Sequence, residues 1–159
     1  MLSIGSYAFH ECANLSSINI PKSVTTIQEG IFWNCINLTN ITISNSVSHI
    51  DEMAFNNCKS LTHFSLPTGI SSIKNRTFEN CSSLKSIIIP ESVTIIKHMA
   101  FENCSSLTSI IIPQSVTTIE VSAFENCNNL NNIIIPQRFE TEIKSILCFR
   151  DLSKVKIIY

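Results

Sequence analysis

The stretch AFENCSSLTSIIIPQSVTTI, Ala100–Ile119, decides how this chain is read. Its upstream neighbour is TFENCSSLKSIIIPESVTII, Thr77–Ile96, and its downstream neighbour begins AFENCNNLNNIIIPQ, Ala123–Gln137. The step is 23 residues and holds from Ile4 to Pro136. Cysteine recurs at Cys12, Cys35, Cys58, Cys81, Cys104 and Cys127. Phenylalanine recurs at Phe9, Phe32, Phe55, Phe78, Phe101 and Phe124. Leucine recurs at Leu15, Leu38, Leu61, Leu84, Leu107 and Leu130. A fixed period of this size is the mark of a solenoid, in which each repeat buries its apolar side only against its neighbours.

The pattern changes within one repeat. Ala123, Phe124, Cys127 and Leu130 fall at i, i+1, i+4 and i+7, the spacing of one face of a short helical turn. Ile110 and Ile112 alternate around Ile111, the period of a strand. Pro113 cannot donate to a ladder, so it marks the point where the strand leaves its sheet. Val116 and Ile119 return the chain inward. The expected fold is an α/β repeat solenoid of 23-residue coils, with a parallel sheet on one side and short helical turns on the other.

Leu107-x-x-Ile110-x-Ile112 matches the LxxLxL core of leucine-rich repeats. The longer run SLTSIIIPQSVTTI, followed three residues later by AFENC, resembles the BspA-like leucine-rich repeat subfamily. The resemblance spans Ile4 to Pro136 in six copies. It implies a surface or secreted adhesin-type protein of the kind found in host-associated bacteria and parasitic protists, with host matrix or host-cell proteins as the partner class. Two departures stand out. The glycine that this family carries after the return-segment isoleucine survives only as Gly5, and the column then reads Gln28, Asp51, Lys74, Lys97 and Glu120. The proline is Ser44 in the second coil.

Residues 1–137 are read as the repeats, with the N-terminus beginning partway through a coil and lacking a polar cap. That suggests a fragment, or an edge covered by something else. After Pro136 the register breaks. Arg138 replaces the ladder serine and Phe139 the valine; Ile143 is one residue late, and Leu152, Val155 and Ile157 read as one residue early. With its cluster of charges, 138–159 reads as an atypical C-terminal capping coil.

Net charge is −1 and 14% of residues are charged, with no basic stripe, so nucleic acid is not an expected partner. No apolar run has the length of a membrane span, and MLSIGSYAFHE has neither the basic nor the apolar region of a signal peptide. Neighbouring coils place column cysteines at a Cα spacing of about 5 Å, within bridging range. The preferred reading is nonetheless a column of buried free thiols in step with Phe and Leu. Cys148 lies outside the register.

No chemistry-bearing constellation emerges. His10, His49, His63 and His98 occupy four different columns, and HExxH, CxxC, GxSxG and glycine-rich phosphate loops are all missing. No metal and no cofactor are expected, and an enzyme is the least supported class. The row Glu79, Glu102, Glu125 reads as a solvated face. Six N-x-S/T sequons occur, at Asn14, Asn37, Asn40, Asn75, Asn80 and Asn103. Asn80 and Asn103 also belong to a repeated Asn-Cys step with Asn34, Asn57 and Asn126, for which a structural role in the turn is the stronger reading. The serine column Ser23, Ser46, Ser92, Ser115, with Gly69 in the third coil, is expected to form a ladder that satisfies backbone groups of the adjacent coil.

The candidate recognition surface is the set of strand positions pointing away from the core: Ser17, Asn19, Asn40, Thr42, His63, Ser65, Ser86, Ile88, Ser109, Ile111, Asn132 and Ile134. The second position of each pair changes from polar to isoleucine at Ile88, Ile111 and Ile134, which gives an apolar row beside a polar one. Trp33, in the column His10, Trp33, Asn56, Glu79, Glu102, Glu125, is read as exposed and as a candidate hot spot; the other reading lays its ring over neighbouring apolar surface. The functional expectation is a protein- or peptide-binding module. The alternatives are a structural stalk that self-associates through an uncapped N-terminal edge, and an intracellular scaffold with reduced thiols.

Overall fold

Each central isoleucine becomes the middle of a three-residue strand, and each return segment a two-residue one. In the computed structural model, which describes residues 4–148 and 156–158, these are β1 (Ser17–Asn19), β2 (Thr26–Ile27), β3 (Asn40–Thr42), β4 (His49–Ile50), β5 (His63–Ser65), β6 (Ser72–Ile73), β7 (Ser86–Ile88), β8 (Ile95–Ile96), β9 (Ser109–Ile111), β10 (Thr118–Ile119), β11 (Asn132–Ile134) and β12 (Lys156–Ile158). Among the described residues all pairing is parallel, and up to β11 it keeps the 23-residue register, as in Ile18 with Ile41 and Ile110 with Ile133. The three-residue strands form β1–β3, β5–β7 and β9–β11–β12; the return strands form β2–β4 and β6–β8–β10.

The turn between the two strands of a coil is set by proline. The carbonyls of Pro21, Pro67, Pro90 and Pro113 each accept from the N–H three residues on, at Val24, Ile70, Val93 and Val116. Ser44 makes the same turn without the ring. Its carbonyl accepts from Val47, and its hydroxyl accepts from the Ser46 N–H.

The core is a set of columns. Phe9, Phe32, Phe55, Phe78, Phe101 and Phe124 stack with ring centroids 5.3–5.6 Å apart and planes 2–15° from parallel. Phe64, which replaces an isoleucine, leans against Phe55 and Phe78 at 4.9 Å from each. Column cysteines from Cys35 to Cys127 are buried and unbridged, and each thiol donates to the Phe carbonyl of the preceding coil.

The expected helical turns are not helices. From Gly30 to Asn34 every second N–H leaves its own coil: Gly30, Phe32 and Asn34 donate to the carbonyls of Glu52, Ala54 and Asn56 in the next. The intervening N–H groups close local turns, as Trp33 to Gly30 and Cys35 to Phe32. Two left-handed residues per coil turn the peptides outward in this way. One column is Tyr7, Gly30, Met53, Arg76, Met99 and Ser122; the other is Glu11, Asn34, Asn57, Asn80, Asn103 and Asn126. The need for positive φ therefore lies two residues beyond the Gly5 column. Gly30 also makes room, since a Cβ there would collide with the Tyr7 ring. A true helix, α1 (Ile143–Leu147), occurs in the last coil, where Phe139, Ile143, Ile146 and Leu147 are buried.

The last coil also corrects the register. Ile157 pairs with Ile133, a step of 24 residues, so it is one residue late rather than early. The extra residue already seen at Ile143 is carried through to β12. Leu152 and Val155 lie outside the described residues.

Candidate functional site

Outward alternation on the three-residue strands places the predicted rows side by side. Ser17 aligns with Asn40 and Asn19 with Thr42; His63 aligns with Ser86 and Ser65 with Ile88; Ser109 aligns with Asn132 and Ile111 with Ile134. Ile88 and Ile111 are 66% and 61% exposed and Ile134 39%, so the isoleucine row is a real apolar strip.

Part of this set surrounds a concavity. Thr42, His63, Ser65, Ser86 and Ile88 line a shallow groove of about 400 Å³ on the strand face. Its floor, Ile41, Ile43 and Phe64, escaped the sequence reading because inward positions were assigned wholly to the core. Ile41 and Ile43 are only partly buried, and β3 and β5 share no ladder, a break that the repeat pattern does not report. The groove is lined by no carboxylate, lysine or arginine, and His63 Nδ1 lies 3.0 Å from Thr62 Oγ1.

Trp33 is elsewhere and is not exposed. It lies on the turn side, half-buried, its ring 4.8 Å from His10 and 6.3 Å from Tyr7. The column was misread because its later members are acidic; at Trp33 the His10 and Tyr7 rings of the preceding coil cover part of the side chain. The acidic members are themselves half-buried rather than a fully solvated face. Partial burial, and then Glu79 and Glu125 on either side, hold the Glu102 carboxyl above its usual range. Arg76 lies 3.8 Å from Glu79.

A second concavity, about 670 Å³, follows the asparagine column past Asn57, Asn80, Asn103 and Asn126. Here the amides are partly spent on the stack itself, with Asn57 donating to Asn34 and Asn103 to Asn80. The serine column forms the expected ladder. Ser46, Ser92 and Ser115 donate to the carbonyls of Val24, Ile70 and Val93, at 3.2, 2.7 and 2.7 Å. Arg138, in the same column, reaches Val116 O at 3.0 Å. Among the described residues no helix is long and apolar enough to cross a membrane.

The family model for the BspA type leucine rich repeat region matches residues 1–108 and 49–159, with six copies. A leucine rich cell surface protein of Faecalibacterium prausnitzii is 38% identical, with a TM-score of 0.78 over 82% of this chain and 35% of its own. The T. pallidum leucine rich repeat protein is 26% identical, with a TM-score of 0.53 over 86% of this chain and 53% of its own. A leucine-rich repeat protein from Bacteroides ovatus shares the fold at 23% identity, with a TM-score of 0.53 over 99% of this chain and 57% of its own. The chain thus spans about a third to just over half of the length of these proteins. No curated protein is similar enough to match.

Proposed function

The chain belongs to the BspA-type leucine-rich repeat family, and from that premise we propose that it is a non-catalytic recognition module whose strand face holds a protein or peptide ligand. The exposed row Ile88, Ile111, Ile134 beside the polar row Ser86, Ser109, Asn132 carries this reading. Apolar side chains left uncovered in line, next to hydrogen-bonding ones, are what a protein interface buries at its centre and rim. The site is Asn40, Thr42, His63, Ser65, Ser86, Ile88, Ser109, Ile111, Asn132 and Ile134. Trp33 lies outside it. Likeness to a leucine rich cell surface protein supports a place at the cell surface, and the ligand class proposed for such a place is a matrix or host-cell protein. The atypical coil read over 138–159 is proposed as a cap, with α1 packed by buried residues and β12 paired to β11.

Binding of the purified chain to a panel of extracellular matrix proteins tests this, with Ile88→Thr/Ile111→Thr alongside. Saturable binding that is lost in the folded double variant is expected. Failure of the chain to bind, with concentration-dependent self-association instead, would move the assignment to a structural element of a larger protein.

A further inference from the structure

We propose that the junction between the coil of β3 and β4 and the coil of β5 and β6 is a hinge, created by Gly69 standing where other coils carry a serine. At four other junctions a side chain in this column ties one coil to the last: Ser46 to Val24, Ser92 to Ile70, Ser115 to Val93, and Arg138 to Val116. The missing tie is the one from Gly69 to Val47. A Cβ added to Gly69 would lie 3.6 Å from the Val47 carbonyl oxygen, so the site has room for the serine it lacks.

Both strand ladders are open at this same junction. In the first ladder Ile20, Leu66 and Ile112 donate to Thr42, Ile88 and Ile134, while the equivalent Ile43 N–H has no backbone partner. In the second, Ser48, Thr94 and Thr117 donate to Thr25, Ser71 and Thr94, and Asp51, Lys97 and Glu120 donate to Ile27, Ile73 and Ile96. Neither Ser71 nor Lys74 makes the matching bond. The β7–β9 junction is also open in the first ladder, but there the second runs on from β8 to β10. Among the described residues, only between β3–β4 and β5–β6 do both ladders stop.

The turn side stays closed across the junction. Phe32 and Asn34 donate to Ala54 and Asn56, the Cys58 thiol donates to Phe32, and Phe32 stacks on Phe55 at 5.6 Å. On the strand side the Asn45 amide oxygen accepts from the Thr68 N–H at 3.2 Å, a tether at the exposed rim. A stack closed on one side and open on the other pivots about the closed side, and segments with few backbone bonds are where native chains open first. The groove floored by Ile41, Ile43 and Phe64 is the mouth of this wedge. Thr42 stands on one wall, with His63 and Ser65 on the other, so the angle between the two blocks sets the groove's width.

Amide hydrogen exchange on the whole chain tests the hinge. Ile43, Ser71 and Lys74 are expected to exchange about tenfold faster, or more, than Ile112, Thr94 and Lys97 in the same columns. In Gly69→Ser, Ser71 and Lys74 should slow toward the rate of their counterparts. In Ser92→Ala, Thr94 and Lys97 should speed up. Equal protection at all junctions of the native chain would overturn the hinge, and that comparison needs no variant to fold. Unchanged exchange in a folded Gly69→Ser would overturn the role of Gly69.

Discussion

The Cys104 thiol donates to the Phe78 carbonyl of the preceding coil at 3.2 Å, with both groups buried. The same pair recurs along the stack, so this column is a hydrogen-bonded ladder as well as a packing one. Burial pushes the Cys81 and Cys127 thiols up to about 12. A thiol that does not ionise neither attacks nor bridges readily. Native chain treated with a maleimide at pH 8 should therefore label at Cys12 and Cys148, the two exposed cysteines, and at no others. The remaining five should label only after denaturation, as read by intact mass.

The same shifts set an alkaline limit. Each buried thiol holds its proton more tightly in the folded chain than at the ordinary value of 9.0. The unfolded chain therefore releases protons first as pH rises, and stability falls. Melting temperature should be insensitive to these groups below about pH 9. It should drop as pH climbs from there toward about 12. Cys81→Ala and Cys127→Ala should flatten that descent, whatever their effect at neutral pH.

Ser115→Ala removes the hydroxyl from Val93 O and leaves that carbonyl without its side-chain donor. The expected cost is about 0.5–1.5 kcal/mol, read as a lower melting temperature. An unchanged value would show that the serine ladder carries no stability.

Asn103 sits at φ 59° and gives its amide to Asn80. Asn103→Gly loses the amide bond but keeps a residue at ease in the left-handed region. Asn103→Ala loses both, and a Cβ there costs about 1–2 kcal/mol more. Alanine should thus be the more damaging of the two in chemical denaturation.

The period, the inward columns and the outward strand rows were legible because a solenoid repeats one solution, and each column averages out accident. The turn side was not. The i, i+1, i+4, i+7 spacing of Ala123, Phe124, Cys127 and Leu130 belongs equally to a helix and to a run of tight turns. What separates them is the left-handed asparagine, as at Asn103, whose N–H is received by Glu125 of the next coil. Trp33 failed for a related reason, since half-burial there comes from Tyr7 and His10 across the stack. Gly69 was plain to see, but its effect on the two ladders was not, because the bond it omits is to a backbone carbonyl.

The backbone bonds of the phenylalanine turns all run one way. Phe32, Phe55, Phe78 and Phe101 donate to Ala54, Thr77, Ala100 and Ala123, always toward the C-terminal coil. In the strands the bonds run in both directions, so their dipoles largely cancel. Along the turn column they add, as they do in a helix but with the opposite sense: the positive pole faces the C-terminal coil and the negative pole the N-terminal one. The stack is thereby a rod with electrical polarity, and two such rods placed end to end attract head to tail and repel head to head.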